Sequence, residues 1–270
     1  GPLCEKLTFS AFGLTEPNAG SDAGGVATTA KPAGDEYILN GTKCFITNGG
    51  VADLFTIFAS TDRSKGHRGL SAFVVTKDMQ GVSTGKEEDK MGQRASNTSE
   101  VILEEVRVPK ANLLGREGDG MKIAMMTLDK ARPGVAASSA GVARAALEYA
   151  IEYANQRVQF GKPISANQAI QFMIADMTTK VELARLMTYK SAWQIDSGER
   201  NTLHAAIAKL YASDIAMEVT TDAVQIFGGY GYMREYPVEK LMRDAKLLQI
   251  YEGTNQVQRM VIAREMLSGR

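Results

Sequence analysis

At Gly118-Asp119-Gly120 the chain changes its hydrophobic period, and this change constrains the fold more than any other feature. Before it come short runs rich in β-branched and aromatic residues: Thr28 to Lys31, Tyr37 to Leu39, Lys43 to Thr47, Leu54 to Ala59, Leu70 to Thr76 and Val101 to Val108. Such residues suit a pleated, half-buried surface. Gly34-Asp35 and Asn40-Gly41 lie between consecutive runs and read as hairpin turns, the second being the stronger signal. No parallel strand–helix–strand unit is visible, so residues 1–117 are expected to form an antiparallel sandwich or barrel.

After the change, apolar residues step by four and three, as at Ile170, Ile174, Met177, Val181 and Ala184. That helix is expected to open on a capping box, Ser165-x-x-Gln168, and to close at Gly198. A second, from about Asn201 to Phe227, carries Leu203, Ile207, Leu210 and Ile215 and closes at Gly228-Gly229. A third helical region, Met121 to Gln156, has a kink or joint at Pro133. Runs from Pro237 to Leu248 and from Gln256 to Met266 complete an antiparallel bundle over residues 118–270. The fold class expected is α+β with two domains, a β-barrel followed by an all-α four-helix bundle.

Charge excludes some function classes. Lys+Arg and Asp+Glu are equal at 31 each in 270 residues, so no nucleic acid or polyacidic partner is expected. No apolar run approaches the roughly 18 residues of a membrane span. Cys4 and Cys44 fit no metal spacing, and His67 and His204 make no histidine cluster. The expectation is a soluble, unsecreted protein of a reducing compartment, with no metal.

Several segments carry more polar or glycine content than packing needs. Ala11 to Asp22 is dense in Gly, Asn, Pro, Ser and Thr, a loop able to hold an anion or a ring edge, or an ordinary turn. Phe45 and Thr47 lie two apart and share a strand face, where they can pack on and hydrogen-bond to a planar ligand, or bury ahead of a turn. Arg157 in Arg-Val-Gln-Phe-Gly joins two helices; its fork matches phosphate oxygens, though a cation at a helix C-terminus is also common. Gly228, Gly229 and Gly231 exceed the single glycine a C-cap requires, so a ligand or another backbone is expected close by. Tyr251-Glu252-Gly253-Thr254-Asn255-Gln256 places a carboxylate on the joint between two helices, either aimed into a cavity or solvated ahead of an N-cap at Thr254.

Taken in order, these segments resemble the acyl-CoA dehydrogenase family of flavoproteins. The resemblance rests on Leu14-Thr15-Glu16-Pro17-x-Ala19-Gly20-Ser21-Asp22, Ile46-Thr47-Asn48-Gly49, Asp129-Lys130-x-Arg132-Pro133 and Arg157-x-x-Phe160-Gly161-Lys162. It continues through Gln225-Ile226-x-Gly228-Gly229-x-Gly231 and Arg243-Asp244-Ala245-Lys246 to Tyr251-Glu252-Gly253-Thr254. Six motifs in register over the whole chain make a specific signal. In the family, an N-terminal helical domain precedes a middle β-barrel and a C-terminal four-helix bundle. The match begins at the barrel, so this chain is expected to be a fragment or a short homologue.

The resemblance implies FAD as cofactor and Glu252 as the base that takes the α-proton of an acyl-CoA thioester. It implies hydride transfer from the β-carbon to flavin N5, giving a trans-2-enoyl-CoA. Phe12, Leu14 and Thr15 would contact the flavin ring, with Phe45 and Thr47 on its other side; relatives often have Trp at the Phe45 position. Arg157, Phe160, Gln168, Gln225, Gly228, Gly229, Thr254 and Gln256 would hold the rest of FAD. Ser21 would touch the thioester-linked part of CoA, Asp129 and Arg132 would bind its nucleotide end, and Gly253 and Arg264 would help line the CoA site. Shared FAD contacts imply a homodimer or homotetramer, and electron-transfer flavoprotein is the implied acceptor. The location implied is cytoplasmic in bacteria and the mitochondrial matrix in eukaryotes. An acyl-CoA oxidase, an enoyl-CoA reductase and an inactive assembly chain are the alternatives.

Overall fold

A computed structural model describes residues 2–5 and 8–268. It divides into two compact units, residues 1–90 with 94–127, and residues 91–93 with 128–270.

The first unit opens with a short helix, α1 (Pro2–Glu5), followed by strands β1 (Ser10–Gly13), β2 (Thr29–Ala33), β3 (Glu36–Thr47), β4 (Leu54–Ser60), β5 (Leu70–Thr76), β6 (Val82–Glu87), β7 (Thr98–Pro109) and β8 (Leu113–Leu114). They form one sheet in the order β6-β7-β3-β2-β4-β5-β8, with β1 added to β4. Among the described residues β6 and β8 are not paired, so the expected closed barrel is not confirmed. Closure needs two usable edges. β8 offers two residues, Leu113 and Leu114, which pair with Phe73 and Ala72, and β6 is a Val-Ser-Thr-Gly-Lys-Glu run with no buried residue. The sheet is also not wholly antiparallel, because β1 and Thr29 of β2 pair parallel with β4. Tyr37, Leu39, Ile46, Phe55, Ile57, Phe73, Val75, Val101, Leu103, Val106 and Val108 form its core.

Gly34-Asp35 makes a two-residue turn between Ala33 and its partner Glu36, as its sequence suggests. Asn40-Gly41, expected to be a hairpin, lies inside β3. The ladder slips there, because β7 holds an extra residue opposite Asn40. Glu105, at φ 53°, takes up the slack and is tied off by Asn40: its N–H donates to Asn40 Oδ1 at 2.8 Å, and Asn40 Nδ2 donates to Glu105 Oε1 at 2.7 Å. Gly41 is required by close approach, since a Cβ there would stand 2.3 Å from Thr28 Oγ1.

In the second unit the long helices are α2 (Gly120–Gln156, whose first residues belong to the first unit), α3 (Gln168–Asp196) and α4 (Thr202–Phe227). Between α2 and α3 a small ladder pairs β9 (Val158–Gln159) with β10 (Lys162–Pro163). The shorter helices α5 (Pro237–Leu248) and α6 (Asn255–Leu267) follow. Pro133 lies inside one continuous α2. The expected capping box is absent: Ser165 sits in a tight turn, Asn167 precedes the helix, and Gln168 is its first residue.

Of the expected α4 stripe Leu203-Ile207-Leu210-Ile215, only Ile215 is buried in the core, and the other three are half-buried. Beside Ile215, the core is filled by Ala208, Ala212, Ala216, Val219 and Ala223. Small side chains let α4 lie against α3, α5 and α6 together, and this makes it the central helix of the unit. Among the described residues no helix is long and apolar enough to cross a membrane.

Candidate active site

The first unit assembles one group of site residues. β3 carries an extra residue between Lys43 and Ile46, a bulge that puts Phe45 at φ 57°. Bulges re-aim side chains and free backbone groups from the ladder. Here the Cys44 N–H turns to Thr15 O at 3.0 Å, which binds the Thr15 loop to the strand. Phe45 is 68% exposed, and Thr47 is exposed as well, with Ile46 buried between them. Asn48 Nδ2 bonds Ser10 O at 3.2 Å, bringing β1, and so Phe12, alongside. Phe12 and Thr15 are half-buried, but the Leu14 side chain belongs to the core with Phe58, Leu70 and Ala124. Leu14 therefore has only its backbone to offer a ligand. Ser21 is exposed on the following bend.

Beneath this loop lies a pair that sequence reasoning missed. Lys43 is fully buried and its Nζ lies 2.6 Å from Glu16 Oε1 and 3.3 Å from Leu14 O. Glu16 also accepts from the Ala27 and Thr28 N–H groups at 2.6 and 3.0 Å and from the Thr28 hydroxyl. Burial pushes the Glu16 carboxyl up, yet Lys43 and these donors together hold it below its ordinary value. Burial likewise lowers the Lys43 ammonium against the pull of Glu16. The available signal was parity: Lys43 shares the inward face of β3 with Tyr37 and Leu39.

The second unit holds the Glu252 turn. Gln249 and Gly253 flank a break between α5 and α6, and Thr254 caps α6 by accepting from Val257 N at 3.3 Å. Glu252 stands at φ 54°, a conformation that costs a non-glycine residue free energy and tends to persist at functional positions. Among the described residues six non-glycines have positive φ, and Phe45, Phe160 and Glu252 are three of them. Glu252 Oε2 is buried and has no hydrogen-bond partner. Burial raises its carboxyl above the ordinary value, against the opposing pull of Arg132 and Lys209. Gly253 is at φ 90°, and a Cβ there would meet Gln258 Nε2 at 2.6 Å. Gly253→Ala is therefore expected to displace the turn and reduce activity together with thermal stability, measured on the same preparation.

Arg132 is 4% exposed and lies at this turn, with its Nε 3.4 Å from Glu252 O and its guanidinium 2.6 Å from Asp129 Oδ1. Asp129 also accepts from the Thr202 hydroxyl at 2.7 Å. These contacts tie Arg132 to the Glu252 turn and to Asp129. Arg264 is exposed and lies near Glu265, and Gln256 is exposed on α6.

A further group lines a cavity of about 560 Å³ that is largely open to solvent. Arg157, Tyr153, Phe227, Gly228, Gly229 and Tyr230 are among its walls. The Arg157 guanidinium lies 5.4 Å from the Tyr230 ring centre, and Tyr153 stacks on Phe227. Gly228, at φ 61°, ends α4, and neither it nor Gly229 has a heavy atom within 4 Å of where a Cβ would stand. An apolar aromatic wall beside one cation and an open glycine backbone fits the adenosine diphosphate half of a dinucleotide. Phe160, 99% exposed at φ 52°, and the exposed Gln168 and Gln225 lie outside this cavity.

Family comparison agrees with the resemblance. The acyl-CoA dehydrogenase middle-domain model matches residues 11–106, and the C-terminal-domain model matches residues 118–267. The short-chain-specific acyl-CoA dehydrogenase of Megasphaera elsdenii is 56% identical over 267 residues, covering 98% of this chain and 70% of that protein. The solved structure of butyryl-CoA dehydrogenase from the same organism superposes with a TM-score of 0.97 at 56% identity, over 98% of this chain and 70% of that one. A structure described as the electron transferring flavoprotein of Acidaminococcus fermentans gives the same TM-score, 0.97, identity, 56%, and coverage, 98% and 70%. The chain belongs to the acyl-CoA dehydrogenase family.

Proposed function

We propose that this chain dehydrogenates a short-chain fatty acyl-CoA thioester to the trans-2-enoyl thioester, with Glu252 as the base. The observation that carries the reading is the buried, unpartnered Oε2 of Glu252 on a left-handed turn beside Arg132 and Lys209. A thioester α-proton is weakly acidic, so its removal needs a carboxylate withdrawn from water and raised in basicity. Burial supplies the rise, and the two cations keep the carboxylate ionised and ready to accept. The family's members are FAD flavoproteins, and FAD, when bound, supplies the hydride acceptor.

Within this reading Phe12, Thr15, Phe45, Thr47 and the Leu14 backbone serve the flavin ring. Arg157, Gly228 and Gly229 serve the diphosphate, and Phe160, Gln168, Gln225, Thr254 and Gln256 add outer FAD contacts. Ser21, Asp129, Gly253 and Arg264 serve the CoA thioester, while Arg132 acts chiefly on the base turn. The boundary between a flavin-ring domain and a helical domain falls at residues 117/118. Electron-transfer flavoprotein takes the electrons, and the working form is a homodimer or homotetramer.

The test is whether the purified chain carries FAD and whether butyryl-CoA bleaches it anaerobically. Bleaching, with reoxidation by electron-transfer flavoprotein faster than by air, is expected. Bound flavin that butyryl-CoA leaves oxidised contradicts the reading. Arg157→Gln is expected to weaken FAD binding by about 10–100-fold, the worth of a charge-assisted hydrogen bond of roughly 1.5–3 kcal/mol, measured by flavin release on dilution.

A further inference from the structure

The Glu252 turn presents two consecutive carbonyls to the interior of the helical unit, and buried side chains hold both. Glu252 O receives Arg132 Nε from α2 at 3.4 Å and Gln258 Nε2 from α6 at 3.3 Å. Gly253 O receives Gln258 Nε2 at 2.9 Å and Lys209 Nζ, from α4, at 2.9 Å. Lys209 is fully buried in the small-residue face of α4, in sequence register with Ala205, Ala212 and Ala216. A buried ammonium is costly unless its protons are used. Lys209 spends a second one on Asn255 Oδ1 at 2.8 Å. Asn255 is itself 2% exposed; its Nδ2 donates to Asp214 Oδ1 at 2.6 Å, and its N–H donates to Gln249 O at 3.0 Å. One side chain thus ties the far side of the turn to the central helix and to both flanking helix ends.

We propose that Lys209 is the positioning residue of the base: it fixes the Gly253 peptide so that Glu252 holds its left-handed conformation, and it places a cation beside the Glu252 carboxylate. The proposal rests on Glu252 being the base. The charged groups that act on this cluster are Arg132, with Asp129 and Arg264 acting on it in turn, and Asp214 together with Glu252 acting on Lys209. Lys209 lowers the Glu252 carboxyl, and burial brings Lys209 itself down to about 8, with Arg132 adding to the fall. Removing the Lys209 charge therefore leaves Glu252 protonated to higher pH.

The experiment compares the FAD-loaded wild type, Lys209→Met and Glu252→Gln in butyryl-CoA dehydrogenation across pH. Lys209→Met is expected to keep FAD and KM, to lose kcat by about 10²-fold through displacement of the base, and to move the acid limb of kcat/KM to higher pH. Lys209→Gln keeps a donor but not the charge. It is expected to recover part of kcat without restoring the limb, and it carries the same test where the Met variant fails to accumulate folded. An acid limb unchanged in both variants, or wild-type kcat in Lys209→Met, overturns the proposal. Wild-type turnover in Glu252→Gln instead overturns the assignment of the base, so the two failures are distinguishable.

Discussion

Glu252→Gln is expected to bind FAD as the wild type does and to lose dehydrogenation by about 10²–10⁴-fold, the usual contribution of a positioned general base. The substitution keeps shape and removes only the acceptor oxygen that is buried without a partner. The backbone bonds that define the turn, from Arg132, Gln258 and Lys209, go to main-chain oxygens and survive it. Loss of turnover with intact flavin therefore separates chemistry from folding. In the wild type the sign of the pH effect is fixed by burial. The Glu252 carboxyl is raised; with Glu252 as the proposed base the active form is the carboxylate, so activity is expected to fall as pH drops through a value above the ordinary carboxylate 4.5.

The second large effect concerns the first unit. Lys43→Met leaves Glu16 as an unpaired carboxylate 6% exposed. Breaking one partner of a buried pair costs about 3–5 kcal/mol, read by chemical denaturation. Adding Glu16→Gln to it is expected to recover part of that loss, because no buried charge remains. Lys43 also holds Leu14 O, so the single variant is expected to release FAD more readily than the wild type. Glu16 has a depressed carboxyl in the fold. Its contribution is present in full above the unfolded value of about 4.5 and is lost as pH falls through the lower folded value. A Lys43→Met protein as stable as the wild type contradicts this account.

The period of the sequence revealed the strand-then-helix order and most element bounds, because burial of one face leaves that trace. It did not reveal closure. Pairing of β6 with β8 is a question about edges far apart in sequence, and neither short strand has a strong pattern. Asn40-Gly41 misled for a related reason. The dipeptide that suits a tight turn also suits a bulge, where Asn40 ties off Glu105 and Gly41 makes room for Thr28. The candidate ligand residues stood out as motifs, although of the three surplus glycines Gly231 serves packing, since a Cβ there would stand 2.5 Å from Val224 O, while Gly228 and Gly229 are open. The residues that hold those motifs did not stand out. Lys43 and Lys209 look like ordinary surface lysines, and only their positions, on an inward strand face and in an alanine stripe, hint at burial. Nor can the sequence show that the Arg132 guanidinium reaches the Glu252 carbonyl.

The most direct test of the central claim is deuterium exchange at the α-carbon of butyryl-CoA, followed anaerobically in D2O with the FAD-loaded protein. Exchange reports proton abstraction itself, apart from electron transfer. The wild type is expected to wash deuterium into the α-position, and Glu252→Gln, with FAD still bound, is expected not to. Exchange at the wild-type rate in Glu252→Gln would show that another group takes the proton.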